Sequence, residues 1–289
     1  VAGPTLFSVF INDLPDCLEH SDLSLFADDG KVSGSATRHD LIQKDLNNIG
    51  KWSEGNHLPI SVHKCATLHY GLNNPNAQYT INNEAIANSS QCRDLGILRS
   101  NDFSYRAHIE ATCLKASRSA GMLLRVFSTR KPDFLKKAFV AYVRPVLDYA
   151  SPVWTPTTCK GLTNSVERIQ RRFTQRLFPG RCRQSYEDRL TSLHIPSLQI
   201  RHKFNDIMIA FKLRHGILDI KSEDVGVTLS STSTRSCGIN LVMKRARTQY
   251  IVKTYNYRIA KMWNELPTNL KTITSLSIFK TKLQHYLGY

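Results

Sequence analysis

Apolar positions follow two rhythms along the chain. Near the start, Leu6, Phe7, Phe10, Ile11 and Leu14 recur at helical spacing, which predicts a helix over Pro4 to Leu14 with one buried face. Pro4 suits its first turn, where a missing N–H costs nothing. Two short β-prone runs, Leu23 to Ala27 and Lys31 to Ser33, flank Asp28-Asp29-Gly30 and predict a hairpin with the acidic pair at its tip. Thr37, a candidate N-cap, precedes Leu41 or Ile42, Leu46, Ile49 and Trp52, which define a second amphipathic helix ending near Gly55 to Pro59. Thr67 to Tyr70, Tyr79 to Ile81 with the turn Asn82-Asn83, and Leu95 to Leu98 predict short strands or hairpin arms.

After about residue 103 the rhythm is helical. Segments 104–128, 133–149, 162–178, 185–193, 197–215, 248–263 and 275–287 all carry it, with Pro145 kinking or ending the second. The chain is therefore α+β: an α/β layer over residues 1–99, a helical region over 100–220, and a C-terminal helical region over 237–289. Residues 221–236, rich in Ser, Thr and Gly, form the expected linker.

Composition narrows the class. With 41% apolar and 21% charged residues, the 289-residue chain sits among globular proteins rather than disordered or collagenous ones. Its longest unbroken apolar run, Ala138 to Val143, falls far short of the roughly 18 residues a membrane span requires, so no membrane is expected. The net charge of +16 favours an acidic partner, and nucleic acid is the commonest. That charge is unevenly placed: residues 1–100 hold 7 Lys/Arg against 11 Asp/Glu, whereas 101–289 hold 32 against 12. An acidic first third beside a basic remainder implies one site that collects cations and one surface that collects polyanions. The seven cysteines are scattered and odd in number, without a Cys-x-x-Cys pair. That predicts a reducing compartment, nuclear or cytoplasmic, with no disulfide-linked partner.

Two features carry candidate chemistry. Adjacent carboxylates at a hairpin tip, Asp28 and Asp29, repel each other unless a cation lies between them, and Mg2+ favours such hard oxygen ligands. Two Mg2+ ions could serve a phosphoryl transfer; the alternative is an ordinary solvated turn. In Val166 to Leu177, apolar Val166, Ile169, Phe173 and Leu177 share one helical stripe, while Arg168, Arg171, Arg172 and Arg176 fall away from it. Such an arginine ladder, extended by Arg181 and Arg183, suits phosphates, which guanidinium binds bidentately. Ala138 to Tyr149 reads as core rather than a base-stacking platform, and the cluster Lys244, Arg245, Arg247 as a solvated basic run.

The motif series is more specific than its members. Gly3-Pro4-x-Leu6-Phe7, Phe10-Ile11-Asn12-Asp13-Leu14, Phe26-Ala27-Asp28-Asp29, Trp52-Ser53, Lys64-Cys65 and Asp94-Leu95-Gly96-Ile97 resemble, in order and spacing, reverse transcriptases of non-LTR (LINE-type) retrotransposons. The resemblance continues through Val143 to Trp154, Glu167 to Phe173 and Trp263-Asn264-x-Leu266-Pro267.

It implies a polymerase palm followed by a helical thumb. By that resemblance Asp28 and Asp29 are metal-binding and catalytic carboxylates, Lys64 is the palm lysine that acts as general acid toward pyrophosphate, and Leu95-Gly96 is the primer-grip turn. The implied cofactor is Mg2+; the implied partners are an RNA template, a DNA primer and, in an intact parent, dNTP. The chain departs from the family in having Gly30 where a small polar or β-branched residue is usual. The family's third palm carboxylate and its fingers belong upstream of the residues seen here, so the palm is expected to be incomplete and this polypeptide alone inactive in polymerisation. The competing reading is a catalytically inactive nucleic-acid-binding remnant of a retroelement. An unrelated two-metal nuclease built on Asp28 and Asp29 is a weaker third.

Overall fold

The computed structural model describes residues 2–71, 73–129, 131–156, 159–178, 184–220, 226–227, 239–243 and 254–289. They form two compact units, Val1–Tyr105 and Arg106–Tyr289.

The first unit mixes helices with short strand pairs. Helix α1 (Gly3–Phe10) runs into a 3-10 turn at Leu14–Cys17, after which β1 (Asp22–Phe26) and β2 (Asp29–Ser33) form an antiparallel hairpin. A 3-10 turn at Ala36–Arg38 leads into α2 (His39–Gly55), and another at Val62–Lys64 precedes β3 (Ala66–Leu68). β3 pairs in parallel with β6 (Ala87–Ser89), which brackets the small hairpin of β4 (Thr80–Ile81) and β5 (Glu84–Ala85). β7 (Gln91–Asp94) and β8 (Ile97–Ser100) form the last hairpin. Asn82 and Asn83 both take positive φ, 49° and 64°, as a tight two-residue hairpin turn requires.

The core of this unit joins Ile11, Leu14, Leu46, Ile49, Val62, Tyr79, Ile81 and Ile86. Buried Asp45 fastens α2 to the preceding loop by accepting the backbone N–H groups of Glu19 (3.1 Å) and His20 (3.0 Å). Two expectations change. The opening helix ends at Phe10, not Leu14, and buries none of its own residues; Leu6 and Phe10 are exposed, and only Phe7 leans on the core. Ile11 and Leu14 are buried because the chain bends there into the Pro15 turn, carrying them off the helical stripe. Thr37 is not the N-cap of α2: it lies in the 3-10 turn, with its hydroxyl 2.9 Å from that of Ser35.

The second unit is helical throughout its described elements. These are α3 (Arg106–Val126), α4 (Pro132–Tyr142), α5 (Arg144–Asp148), α6 (Ser151–Trp154), α7 (Lys160–Leu177), α8 (Tyr186–Leu193) and α9 (Leu198–Arg214). Beyond them lie α10 (Tyr255–Asn264), α11 (Thr268–Lys271) and α12 (Leu276–Tyr286). The predicted break at Pro145 is real: α4 stops at Tyr142 and α5 restarts at Arg144 with the proline in its first turn.

α3 packs on α4, α5 and α7, with the Phe139 and Phe173 rings 4.7 Å apart. α9 shares its core with α10 and α12 through Phe211, Trp263 and Phe279, so the helices of the C-terminal region close over the preceding one. A buried ion pair reinforces this closure: Arg258 Nε donates to Asp206 Oδ2 at 2.9 Å, and its Nη1 reaches Thr155 O at 3.3 Å. Apart from Gly226 and Val227, the expected linker lies outside the described residues, as do Lys244, Arg245 and Arg247.

Candidate functional site

The predicted hairpin forms, but its turn lies one residue earlier than expected, with Asp29 and Gly30 in the second strand rather than at the tip. Phe26 pairs with Asp29, which leaves Ala27 and Asp28 as the two turn residues, and Ala27 bears the backbone cost with φ of 51°. Leu23, Leu25 and Val32 lean on the core, while Phe26, Asp28 and Asp29 are exposed. Gly30 faces Leu25 across the ladder, and a Cβ there would meet only side-chain atoms at 3.5 and 3.8 Å, so the position accepts an ordinary residue.

A neighbouring motif is tied to this hairpin. Lys31 Nζ lies 3.3 Å from Asp94 Oδ2, and Arg99 Nε pairs in charge with the same oxygen at 3.0 Å. Asp94 ends β7 immediately before Leu95 and Gly96, which turn the chain with φ of 46° and 83°. The pairing Asp94↔Ile97 makes Leu95-Gly96 a hairpin turn rather than part of a strand. Lys64, exposed at the end of its 3-10 turn, makes no ion pair among the described residues. The geometry thus links the Asp-Asp hairpin with the Leu95-Gly96 hairpin through Lys31, and Lys64 takes no part in that link.

The fit to Mg2+ is incomplete. Among the described residues no group of three or more His, Cys, Asp or Glu side chains is placed to hold a metal ion. Asp28 and Asp29 supply two carboxylates on an open tip, and the rest of an octahedral shell would have to come from elsewhere.

The arginine helix is better defined. On α7, Val166, Ile169, Phe173 and Leu177 are buried, while Arg168, Arg171, Arg172 and Arg176 are exposed. Arg168, Arg172 and Arg176 follow at four-residue intervals, about 6 Å apart along the axis. Arg171 is held differently: its guanidinium lies over the Tyr186 ring, 4.9 Å from the centroid. Arg168 also lies against the seam with α3, where the Cys113 thiol is pushed up to about 11 by burial despite the opposing field of Arg168. Arg181 and Arg183 lie outside the described residues.

What holds this helix is a polar network that the apolar stripe conceals. Glu167 is buried and caps α9, its Oε1 and Oε2 accepting the N–H groups of Leu198 and Gln199 at 3.1 Å each. The Tyr186 hydroxyl donates to Glu167 Oε1, and Gln170 Nε2 donates to that hydroxyl (3.1 Å) and to Pro196 O (2.9 Å). Burial, and next the Glu167 charge, hold the Tyr186 phenol far above its ordinary value, so it remains a donor. A signal was present: Glu167 and Gln170 each sit beside a stripe residue, and Ser185-x-x-Asp188 forms the capping box that starts α8.

Five described cysteines, 17, 65, 92, 113 and 159, are free, and no helix among the described residues is long and apolar enough to cross a membrane. Compared with family models, curated proteins and solved structures, the chain matches none.

Proposed function

We propose that this chain is part of an RNA-directed DNA polymerase of the non-LTR retrotransposon type, and that its own contribution is to grip the template–primer duplex. The observation that carries the reading is α7: four exposed arginines on one side, and on the other a buried face locked by Glu167, Gln170 and Tyr186. A rigid helix presenting guanidinium groups at regular rise meets phosphates without reading bases. The motif order along the chain supports the polymerase assignment, and the hairpin of Asp28 and Asp29, tied through Lys31 to the Leu95-Gly96 turn, is what a primer-facing palm needs.

The two carboxylates do not close a Mg2+ site with the described residues, so no chemical step is assigned to them. The second reading is a catalytically inactive nucleic-acid-binding remnant of a truncated retroelement copy. Both readings require the interface.

Fluorescence anisotropy with a labelled RNA–DNA hybrid tests it. Replacing Arg168, Arg171, Arg172 and Arg176 together by Ala should flatten the dependence of log affinity on log salt by about 3 to 4, near 0.9 for each phosphate no longer neutralised. An unchanged slope overturns the interface. Primer extension tests the second reading: incorporation of dNTPs that Asp28→Ala abolishes would overturn it, whereas both readings expect this polypeptide alone to be inactive.

A further inference from the structure

The segment Val143 to Trp154, prominent in the sequence, is not used by the interface on α7. It forms a corner of α5 and α6, with Ala150 between them at φ of 47° and Trp154 buried between the rings of His108 and His202. Some of its polar groups have structural partners on α9: His202 Nε2 donates to Leu147 O at 2.9 Å, and Asn205 Nδ2 to Ser151 Oγ at 3.2 Å. Its charges do not balance. Asp148 is shared by two arginines, with Arg201 Nε at 3.0 Å and Arg144 Nε at 3.8 Å from the same Oδ2. Arg201 is further fixed through Nη1 to the Tyr289 hydroxyl. His202, 3.8 Å from Asp148 Oδ1, is held neutral by burial.

Two guanidinium charges therefore face one carboxylate, in a place where only 22% of the Arg144 side chain and 24% of that of Arg201 remain exposed. The Arg144 side chain makes no hydrogen bond to any described residue, its approach to Asp148 being too long for one. Burial and the nearby Arg201 both lower its basicity, the mark of an under-compensated cation. The Arg144 guanidinium keeps access to solvent, and an oxyanion bound there bidentately would meet its charge and that of Arg201.

We infer that Arg144, backed by Arg201, is a phosphate-group subsite at the α5 corner, separate from the α7 ladder, and that it takes a phosphodiester of bound nucleic acid. Only the source of the phosphate rests on the proposed function; the anion site itself stands on the corner's geometry.

The test uses the full chain and Arg144→Gln. Thermal unfolding in sodium phosphate is compared with chloride at matched ionic strength, and the salt dependence of RNA–DNA hybrid affinity is measured for both proteins. Phosphate should raise the wild-type Tm and leave that of Arg144→Gln unmoved, and in chloride the variant should melt no lower than wild type. The hybrid-binding slope should fall by about one for the single change. Equal phosphate responses, or a variant that melts lower in chloride yet still responds to phosphate, overturn the subsite. An Arg144-dependent phosphate response with an unchanged slope overturns the phosphodiester assignment. If the wild-type chain binds no hybrid, the proposed function fails, and the phosphate arm still decides the subsite.

Discussion

The acidic hairpin and the arginine helix both present clustered like charge to solvent, yet they are supported in opposite ways. Under Arg168, Arg171, Arg172 and Arg176 lie a buried apolar stripe and a closed hydrogen-bond network that includes an α9 cap. Asp28 and Asp29 stand on a two-stranded ribbon whose turn contains a strained alanine and whose tip touches no core residue. A charged surface becomes a defined site when the layer beneath it fixes the backbone. By that measure α7 is a finished surface, and the hairpin is half of one.

The largest expected effect breaks the support of the finished half. Glu167→Ala removes the acceptor for the N–H groups of Leu198 and Gln199 and for the Tyr186 hydroxyl, orphaning buried donors. The loss should be about 3 kcal/mol, seen as a lower urea midpoint. Asp28→Ala should change stability by less than about 0.5 kcal/mol, as exposed substitutions do. Equal losses at the two positions would erase the contrast.

The same contrast governs pH dependence. His202 is nearly enclosed, and burial depresses its basicity in the folded state, with Asp148 and the Leu147 carbonyl pulling the other way. The unfolded chain therefore takes up the proton first as pH falls. Stability from this group is complete above the ordinary histidine value near 6.5 and is lost below it, with a slope of at most about 1.4 kcal/mol per pH unit for one proton. Asp206, pushed up to about 6 by burial against the pull of Arg258, acts in the opposite sense as pH falls through 6. Across the interval from pH 7 to 6 Asp206 offsets part of the change and His215, whose basicity burial also depresses, adds to it, so the His202 share is read by difference. Urea midpoints across it should decline more steeply for the wild-type chain than for His202→Gln, and a decline of equal steepness in the variant places the proton elsewhere.

What the sequence disclosed follows from which forces are periodic. Helices α3, α7, α9 and α12 and the Asp-Asp hairpin were legible because their apolar positions repeat at 3.6 or 2 residues and because burial follows that repeat. The arginine ladder was legible for the same reason in reverse. Hidden were interactions between residues distant in sequence: Lys31 with Asp94, Asp148 with Arg201, and Glu167 with the start of α9. Their partners carry no mutual pattern. The exposure of Leu6 and Phe10 was also hidden, because periodicity shows that a face is apolar and not whether anything covers it. Tyr142 and Tyr149 make a similar point: the segment read as core is core at Phe139, Val143 and Leu147, but these two tyrosines project into solvent.

Within the arginine face, Arg171 and Arg172 sharpen the comparison at finer scale. Both are exposed, but only Arg171 stacks on a buried ring. Changing each to Lys keeps the charge and removes the planar fork. Arg171→Lys should cost about 0.5 to 1 kcal/mol in hybrid binding, since stacking pre-positions the guanidinium, and Arg172→Lys should cost less. Anisotropy titrations at one fixed salt concentration read the difference, and identical affinities would show that the Tyr186 platform does not orient the ladder.

The smallest effect concerns the hairpin itself. Ala27 holds φ of 51°, where an L-residue loses about 1 to 2 kcal/mol to crowding between Cβ and the backbone. Glycine removes that crowding but gives back part of the gain as extra freedom in the unfolded chain, about 0.5 to 1 kcal/mol. Ala27→Gly should therefore strengthen the β1–β2 ribbon by about 0.5 kcal/mol, the difference between those two terms. The gain belongs to the ribbon and not to the core of the first unit, because the turn touches no residue of that core. Hydrogen exchange is the suitable measurement: protection should rise at the amides of β1 and β2 and stay unchanged in α2. A rise spread evenly over the unit would mean that the hairpin and the core open together, and the acidic tip would then have the support that the arginine helix has.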